Sequence, residues 1–365
     1  MDQGSRKKNN RYTRRKFIQT SILATASVIV HGCLTEEKPL VKVFHCPKRF
    51  SRRYGELTVN ICGSLSSGAK NTQYRLNQGQ WHKLLPQGKP RVPPPLFTIE
   101  LRPEELHSGI NELIIEASTS NNDRPEVTSL QFEYDPNPID LPIKVDWSRN
   151  SDLEVQDGYW ETFEVDGSWR VRPKPGFEEY DRILNVTGAF PGGRRIETDV
   201  IFRKAGWLGW RGKGTYGFGI LSMWGGHPDD LGVYPRRGWN FGIAWFSGPP
   251  HDPPGKVVEF SYKYGDRDAI WSTNYQPLEL KSNVRYSIIS ECFPELDASG
   301  NHLRYRQRMK WWAEGESEPE QWMEITDEIK EANGKSHLLQ PGEYAVALLA
   351  HNTQVDFGPV TITPL

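Results

Sequence analysis

The chain has 365 residues, 36% of them hydrophobic and 13 of them tryptophan, which is enough apolar material for more than one core and excludes a disordered protein. Its formal charge of −1 hides an asymmetry: the first 32 residues carry seven basic side chains against Asp2, leaving 38 basic and 45 acidic residues beyond them. A body of that sign has no electrostatic footprint for nucleic acid, so no nucleic-acid partner is expected.

The amino-terminal stretch TRRKFIQTSILATASVIVHGC joins a basic head to a mostly apolar run over residues 22–30. That run is shorter than the roughly 20 apolar residues a bilayer-spanning helix needs, so it reads as a removable export signal. Thr13-Arg14-Arg15-Lys16-Phe17 resembles the twin-arginine export motif, and Val30-His31-Gly32-Cys33 resembles a lipoprotein box, with His31 an unusual occupant. The resemblance implies a signal peptide over 1–32 and an acylated Cys33 that anchors the mature protein to a membrane, at about 0.8 kcal/mol per buried methylene. The expected location is the cell envelope, periplasmic or at the cell surface. Cys46 and Cys62 are near enough in sequence to bridge in an oxidising compartment, and the sequence leaves open whether they do.

After a polar tether over 33–54, residues 55–137 alternate in period two: ELTVNIC, TQYRLNQGQWHKL, LFTIEL, INELIIEAS and TSLQFEY. Short strands at this spacing predict a small β-sandwich. YRLNQGQW followed by FTIELRPEELHSGINELIIEA resembles bacterial immunoglobulin-like modules, which implies a spacer. DPNPIDLP, residues 135–142, reads as a linker on its prolines.

Residues 143–365 hold twelve of the thirteen tryptophans and again show short strands. Only ITDEIKEANGK, residues 325–335, carries a helical pattern, closed by Gly334. Nine or ten antiparallel strands predict a two-sheet jelly roll, giving an all-β chain overall. DGSWRVRPKPG, RILNVTGAFPGGRRIETDVIFR and GEYAVALLAHNTQVDFGPVTI resemble the concanavalin A-like, or laminin-G-like, sandwich. That group includes lectins, carbohydrate-binding modules, glycoside hydrolases and polysaccharide lyases. The resemblance implies that polysaccharide or another surface glycan is the partner.

Two strands repeat one pattern. TYGFGILSMW places Tyr216, Phe218 and Ile220 opposite Gly217 and Gly219, and GWNFGIAWFSG places Trp239, Phe241, Ile243 and Trp245 opposite Asn240, Gly242 and Ala244. The expectation is that the bulky side fills the space of about 10 Å between sheets while the glycine side forms a bare floor for a ligand. Around it, Trp207, Trp210, Trp224, Trp239 and Trp271 are candidate stacking platforms. His227, Arg236, Arg237 and Asn240 are candidate partners for hydroxyl or acidic groups.

Retaining glycosidases of the resembled fold use Glu-x-Asp-x-x-Glu. Glu197 and Asp199 fill the first two positions, but Phe202 stands at the third, so they are weak catalytic candidates. A hydrolase or lyase acting on the same face is the alternative to a binding module, and no sequence motif decides whether there is turnover. No cofactor motif occurs. Near His351, Asp356 in AHNTQVDFG is a candidate calcium ligand, because closing strands of the resembled fold hold calcium through an Asp and backbone carbonyls.

Overall fold

The computed structural model describes residues 38–84, 96–121, 124–178, 181–205, 215–228, 236, 238–248, 253–264, 270–327, 329–330, 336–337 and 341–365. Residues 39–365 form one compact unit. The described residues are almost entirely β, arranged as a small sandwich followed by a large one.

In the small sandwich, Val41–His45, Val59–Leu65 and Leu96–Leu101 form a three-stranded sheet. Five strands, among them Asn71–Leu76, Gly109–Ser118 and Glu126–Tyr134, form its partner. Alternation works here as expected: Leu113, Ile115 and Ala117 turn inward to meet Val59, Ile61, Ile99 and Phe132, while Glu112 and Glu116 face out.

The large sandwich has a seven-stranded sheet in the order Glu154–Val155, Arg182–Asn185, Ala345–His351, Gly217–Trp224, Trp239–Ser247, Gly255–Tyr264, Ile270–Pro277. The facing nine-stranded sheet is built around Arg194–Ala205, Arg285–Leu296 and His302–Ala313. Between them lies an aromatic core in which the Phe218 ring sits 5.9 Å from Phe202, 5.6 Å from Phe246 and 5.8 Å from Trp311. A polar thread crosses the same space. Gln307 Nε2 donates to Ser222 Oγ at 2.9 Å, and Ser222 Oγ lies 2.9 Å from Ser290 Oγ.

The pattern over 325–335 does not become a helix at the described positions. Met323–Thr326 is a strand that pairs with residues 306–309, and Ile329–Lys330 pairs with Ser336–His337. The open edge of the His302–Ala313 strand offers a ladder, and Ile325 packs against the core from it. That tertiary gain overrides a weak helix preference.

The two sandwiches share a buried, hydrogen-bonded junction. Asn60 Nδ2 donates to the Gln156 carbonyl at 2.9 Å, Gln156 Nε2 donates to the Thr58 carbonyl at 3.2 Å, and Arg53 pairs with Glu154. Phe44 stacks on Tyr159 with centroids 4.3 Å apart. Cys46 and Cys62 are free thiols, and burial among these groups pushes the Cys62 thiol up to about 12.

Candidate functional site

The seven-stranded sheet is apolar on both faces. Its outer face carries Ile183, Leu221, Trp224, Trp239, Ile243, Trp245, Val257, Ala347 and Leu349 as one buried cluster, into which Leu57 of the small sandwich inserts. Strands covered on both sides read as continuous apolar runs, and AVALLAH, buried at every position, is such a run.

The expected bare floor is not there, because the two tryptophan- and glycine-rich strands are out of phase. In the first, Phe218 and Ile220 point inward and Gly217 and Gly219 outward, as expected. In the second, Ala244 and Phe246 point inward while Ile243 and Trp245 point outward. The extra residues in the pairing fall on the neighbouring strands, between Leu221 and Met223 and between Ser261 and Tyr264, so Trp239–Ser247 keeps its alternation, and Phe241 packs against the cluster of Met223, Tyr305 and Tyr344. A Cβ on Gly242 would run into Gln307 Oε1 from the facing sheet, so this glycine makes room for the polar thread and not for a ligand. A Cβ on Gly217 would lie 2.6 Å from Trp245 Cζ3, and one on Gly219 would meet the Trp245 Cβ. The indole fills the trough that the glycines leave.

What the outer face does assemble is aromatic and polar together. Trp239 and Trp245 meet edge to face at 6.2 Å, and Trp224 meets the His227 ring edge at 5.8 Å. His227 Nδ1 lies 2.6 Å from the Gly238 carbonyl; only a protonated nitrogen makes that bond, so Nε2 is left as a bare acceptor. Among the described residues, that Nε2, the indole nitrogens of Trp224 and Trp245, Glu259 Oε1 and Ser261 Oγ are all buried without a partner in full hydrogen-bond geometry. Glu259 and Ser261 stand two apart on one strand, on the same side as Val257. Burial pushes the Glu259 carboxyl up to about 8, so at neutral pH it is a protonated acid. The Trp245 indole exerts a smaller opposing pull from nearby without reaching full hydrogen-bond geometry.

Of the residues singled out in the sequence, Trp224, His227 and Trp239 belong to this face. Asn240 holds its floor by backbone bonds to Gly225 and Gly226. Arg236 faces the small sandwich instead: its Nη1 donates to Glu56 at 2.9 Å, and its backbone N–H and Nε donate to Glu100 at 3.0 and 3.3 Å. Trp207, Trp210, Arg237, the Trp271 side chain and Cys33 lie outside the described residues. Glu197 and Asp199 stand on the outer side of the opposite sheet. Glu197 bonds Arg195 at 2.6 Å, and Asp199 pairs with Arg170 and, at 3.6 Å, with Arg285. Neither shares a site with the indoles.

Asp356 does not fit calcium, because Arg203 Nε lies 2.6 Å from its carboxylate and Arg172 Nη1 3.8 Å, which places guanidinium charge where a cation would sit. No group of three or more potential metal ligands occurs among the described residues. His351 lies on the other sheet, apart from Asp356.

Sequence reading missed Trp245 as an outward residue, and it missed Glu259 and Ser261. KVVEFSYKY gave no signal for them, because Val257, Glu259, Ser261 and Lys263 alternate like the polar face of an ordinary strand.

No family model and no curated protein matches the chain. One solved structure similar to it is the metal-free carbohydrate recognition domain of Emp46p. The two share 11% identity at a TM-score of 0.31, covering 56% of this chain and 87% of that one. The sandwich architecture described above stands on its own strand order.

Proposed function

We propose that the chain is an exported envelope protein, anchored through an acylated Cys33, whose large sandwich binds polysaccharide or a related glycan on the outer face of the seven-stranded sheet. In this reading the small sandwich is an immunoglobulin-like module that buttresses the binding domain. One observation carries the binding reading. Three buried indoles converge on a face where, among the described residues, the Trp224 N–H, an imidazole acceptor and a hydroxyl lack hydrogen bonds, and a neutral carboxyl lies beside the Trp245 indole. Sugars supply the complement, since their C–H faces stack on indole and their hydroxyls both donate and accept.

The test is affinity electrophoresis and calorimetry of the full chain against a polysaccharide panel, comparing wild type with Glu259→Gln, Ser261→Ala and Trp245→Phe. Retention of at least one glycan, weakened about tenfold or more by these changes in variants whose circular dichroism shows an intact fold, is the expected result. A folded protein that retains none of the panel overturns the reading. Labelled fatty acid should enter wild type and not Cys33→Ala, and equal labelling removes the anchor.

A second reading, a glycan hydrolase, is favoured by Glu259 alone. A carboxyl still protonated at pH 7 is suited to donate a proton to a leaving oxygen. New reducing ends in the same panel, lost in Glu259→Gln, decide for it.

A further inference from the structure

At the end of the seven-stranded sheet, three adjacent strands bring together Asp181, His351 and Thr215. Asp181 precedes Arg182–Asn185, His351 ends Ala345–His351, and Thr215 lies two residues before Gly217–Trp224. His351 Nδ1 lies 2.7 Å from Asp181 Oδ1, and His351 Nε2 lies 2.7 Å from Thr215 Oγ1. The residues are 170 and 136 positions apart from His351, so the line is a product of the fold and not of local sequence.

The arrangement is held from several sides. Asp181 and His351 are buried, and Thr215 is half-buried. Asn352 Nδ2 donates to the Thr215 carbonyl at 2.9 Å and fixes that backbone. Asp181 and Asn352 both adopt left-handed backbone angles, with φ of 38° and 46°. Such conformations are costly for residues with a side chain and persist where the surroundings impose them.

We propose that Thr215 is an acyl-accepting nucleophile, with His351 as its general base and Asp181 as the positioning residue, and that the substrate is an acyl ester. An orienting carboxylate, an imidazole in the correct tautomer and a hydroxyl within hydrogen-bond reach are the parts such a site needs. The Asp181 carboxylate accepts from Nδ1–H, so Nε2 presents its lone pair to the Thr215 hydroxyl. In the first step, Thr215 Oγ1 bonds to the ester carbonyl carbon while its proton passes to His351 Nε2. The alkoxide then leaves and takes that proton. Water next attacks the acyl-threonine, gives a proton to Nε2, and releases the carboxylic acid as Thr215 Oγ1 is reprotonated. Asp181 stabilises the imidazolium formed in each half.

Gly217 is the pairing partner of His351, and the Trp245 ring covers Gly217. An O-acylated sugar stacked on that indole would carry its ester toward Thr215. This choice of ester rests on the glycan reading; the nucleophile does not.

The test uses the full chain with 4-nitrophenyl acetate, following nitrophenolate release, the acetylated peptide by mass spectrometry, and acetate release from an acetylated polysaccharide. We expect acetyl on Thr215, a rate that falls at least 100-fold in Thr215→Val and His351→Gln, and retention in Thr215→Ser. Asp181→Asn should lower the rate and alter its pH profile. A purely structural relay predicts lower melting temperatures with no acetyl-Thr215 and an unchanged rate in Thr215→Val, and that result overturns the proposal. Acetylation of Thr215 by the small ester without acetate release from the polysaccharide upholds the nucleophile and removes the sugar ester. Absence of glycan binding with acetyl-Thr215 present removes the binding reading and leaves this one.

Discussion

The six-membered ring of Trp245 lies where a side chain on Gly217 would begin, with Cζ3 2.6 Å from that position. The two residues belong to neighbouring antiparallel strands, in which Gly217 faces Ser247 and Gly219 faces Trp245. The glycines are therefore the footprint of an indole packed flat along the sheet. Gly217→Ala or Gly219→Ala should force that indole off its seat and destabilise the fold by about 1–3 kcal/mol, the range for overpacking a filled interior. Chemical denaturation followed by tryptophan fluorescence checks both stability and the displaced ring. An unchanged midpoint and spectrum would mean that the glycine surface is open.

That pair also shows what could be read beforehand. The period-two runs of both sandwiches were legible because alternation is a local consequence of the pleat. Which side of GWNFGIAWFSG turns inward was not legible. Alternation is symmetric under exchange of faces, and which face is covered depends on how the strands pair and stack. Trp224, His227 and Trp239 could be singled out by residue type alone. The Asp181–His351–Thr215 line could not, since its members meet only after three strands are laid side by side. Arg236 misled for a related reason: an Arg in a Gly- and Pro-rich stretch looks like a ligand contact until Glu56 and Glu100 appear beside it.

Arg236 ties the sandwiches together, so its removal should act on stability. The Glu100 side chain is only 5% exposed, and taking away its guanidinium partner leaves a poorly solvated carboxylate. Breaking one side of such a pair typically costs 3–5 kcal/mol, and the partial exposure of Glu56 places Arg236→Ala at about 2–4 kcal/mol. Arg236→Ala combined with Glu100→Gln should cost less than Arg236→Ala alone, because the stranded charge is gone. Urea titration of the four proteins measures this. If Arg236→Ala instead leaves stability intact and lowers glycan affinity, the residue is a ligand contact.

Glu259 should give the fold an alkaline liability. Its folded value of about 8 stands above its ordinary 4.5, so the folded state holds a proton that the unfolded chain releases. The resulting stability is full below pH 4.5, declines as pH rises to about 8, and then levels off. Every tenfold difference in proton affinity between the two states is worth about 1.4 kcal/mol, so the decline amounts to a few kcal/mol. Glu259→Gln should flatten melting temperature against pH over that window and stabilise the protein at pH 8. An identical slope in the variant would show that the carboxyl is solvated.

His45 should give the opposite liability at the junction of the sandwiches. Its Nε2 accepts the Trp160 backbone N–H at 3.3 Å, and burial lowers its value from 6.5 to about 4. The neutral ring is the folded form, so its contribution is complete above pH 6.5. As pH falls from 6.5 to 4 the unfolded chain takes up a proton that the folded one refuses, and stability drops, reaching its floor below pH 4. The loss should be about 1–3 kcal/mol at pH 4, from the same relation between proton affinity and free energy. His45→Gln keeps an acceptor for Trp160 without a titrating group and should remove this acid-side slope while leaving the alkaline decline from Glu259 in place. Because the two groups lie at different places in the fold, the double variant with Glu259→Gln should combine both flattenings additively. Thermal melts of the four proteins from pH 4 to pH 9 test this, and an acid-side slope that survives in His45→Gln would assign it to another group.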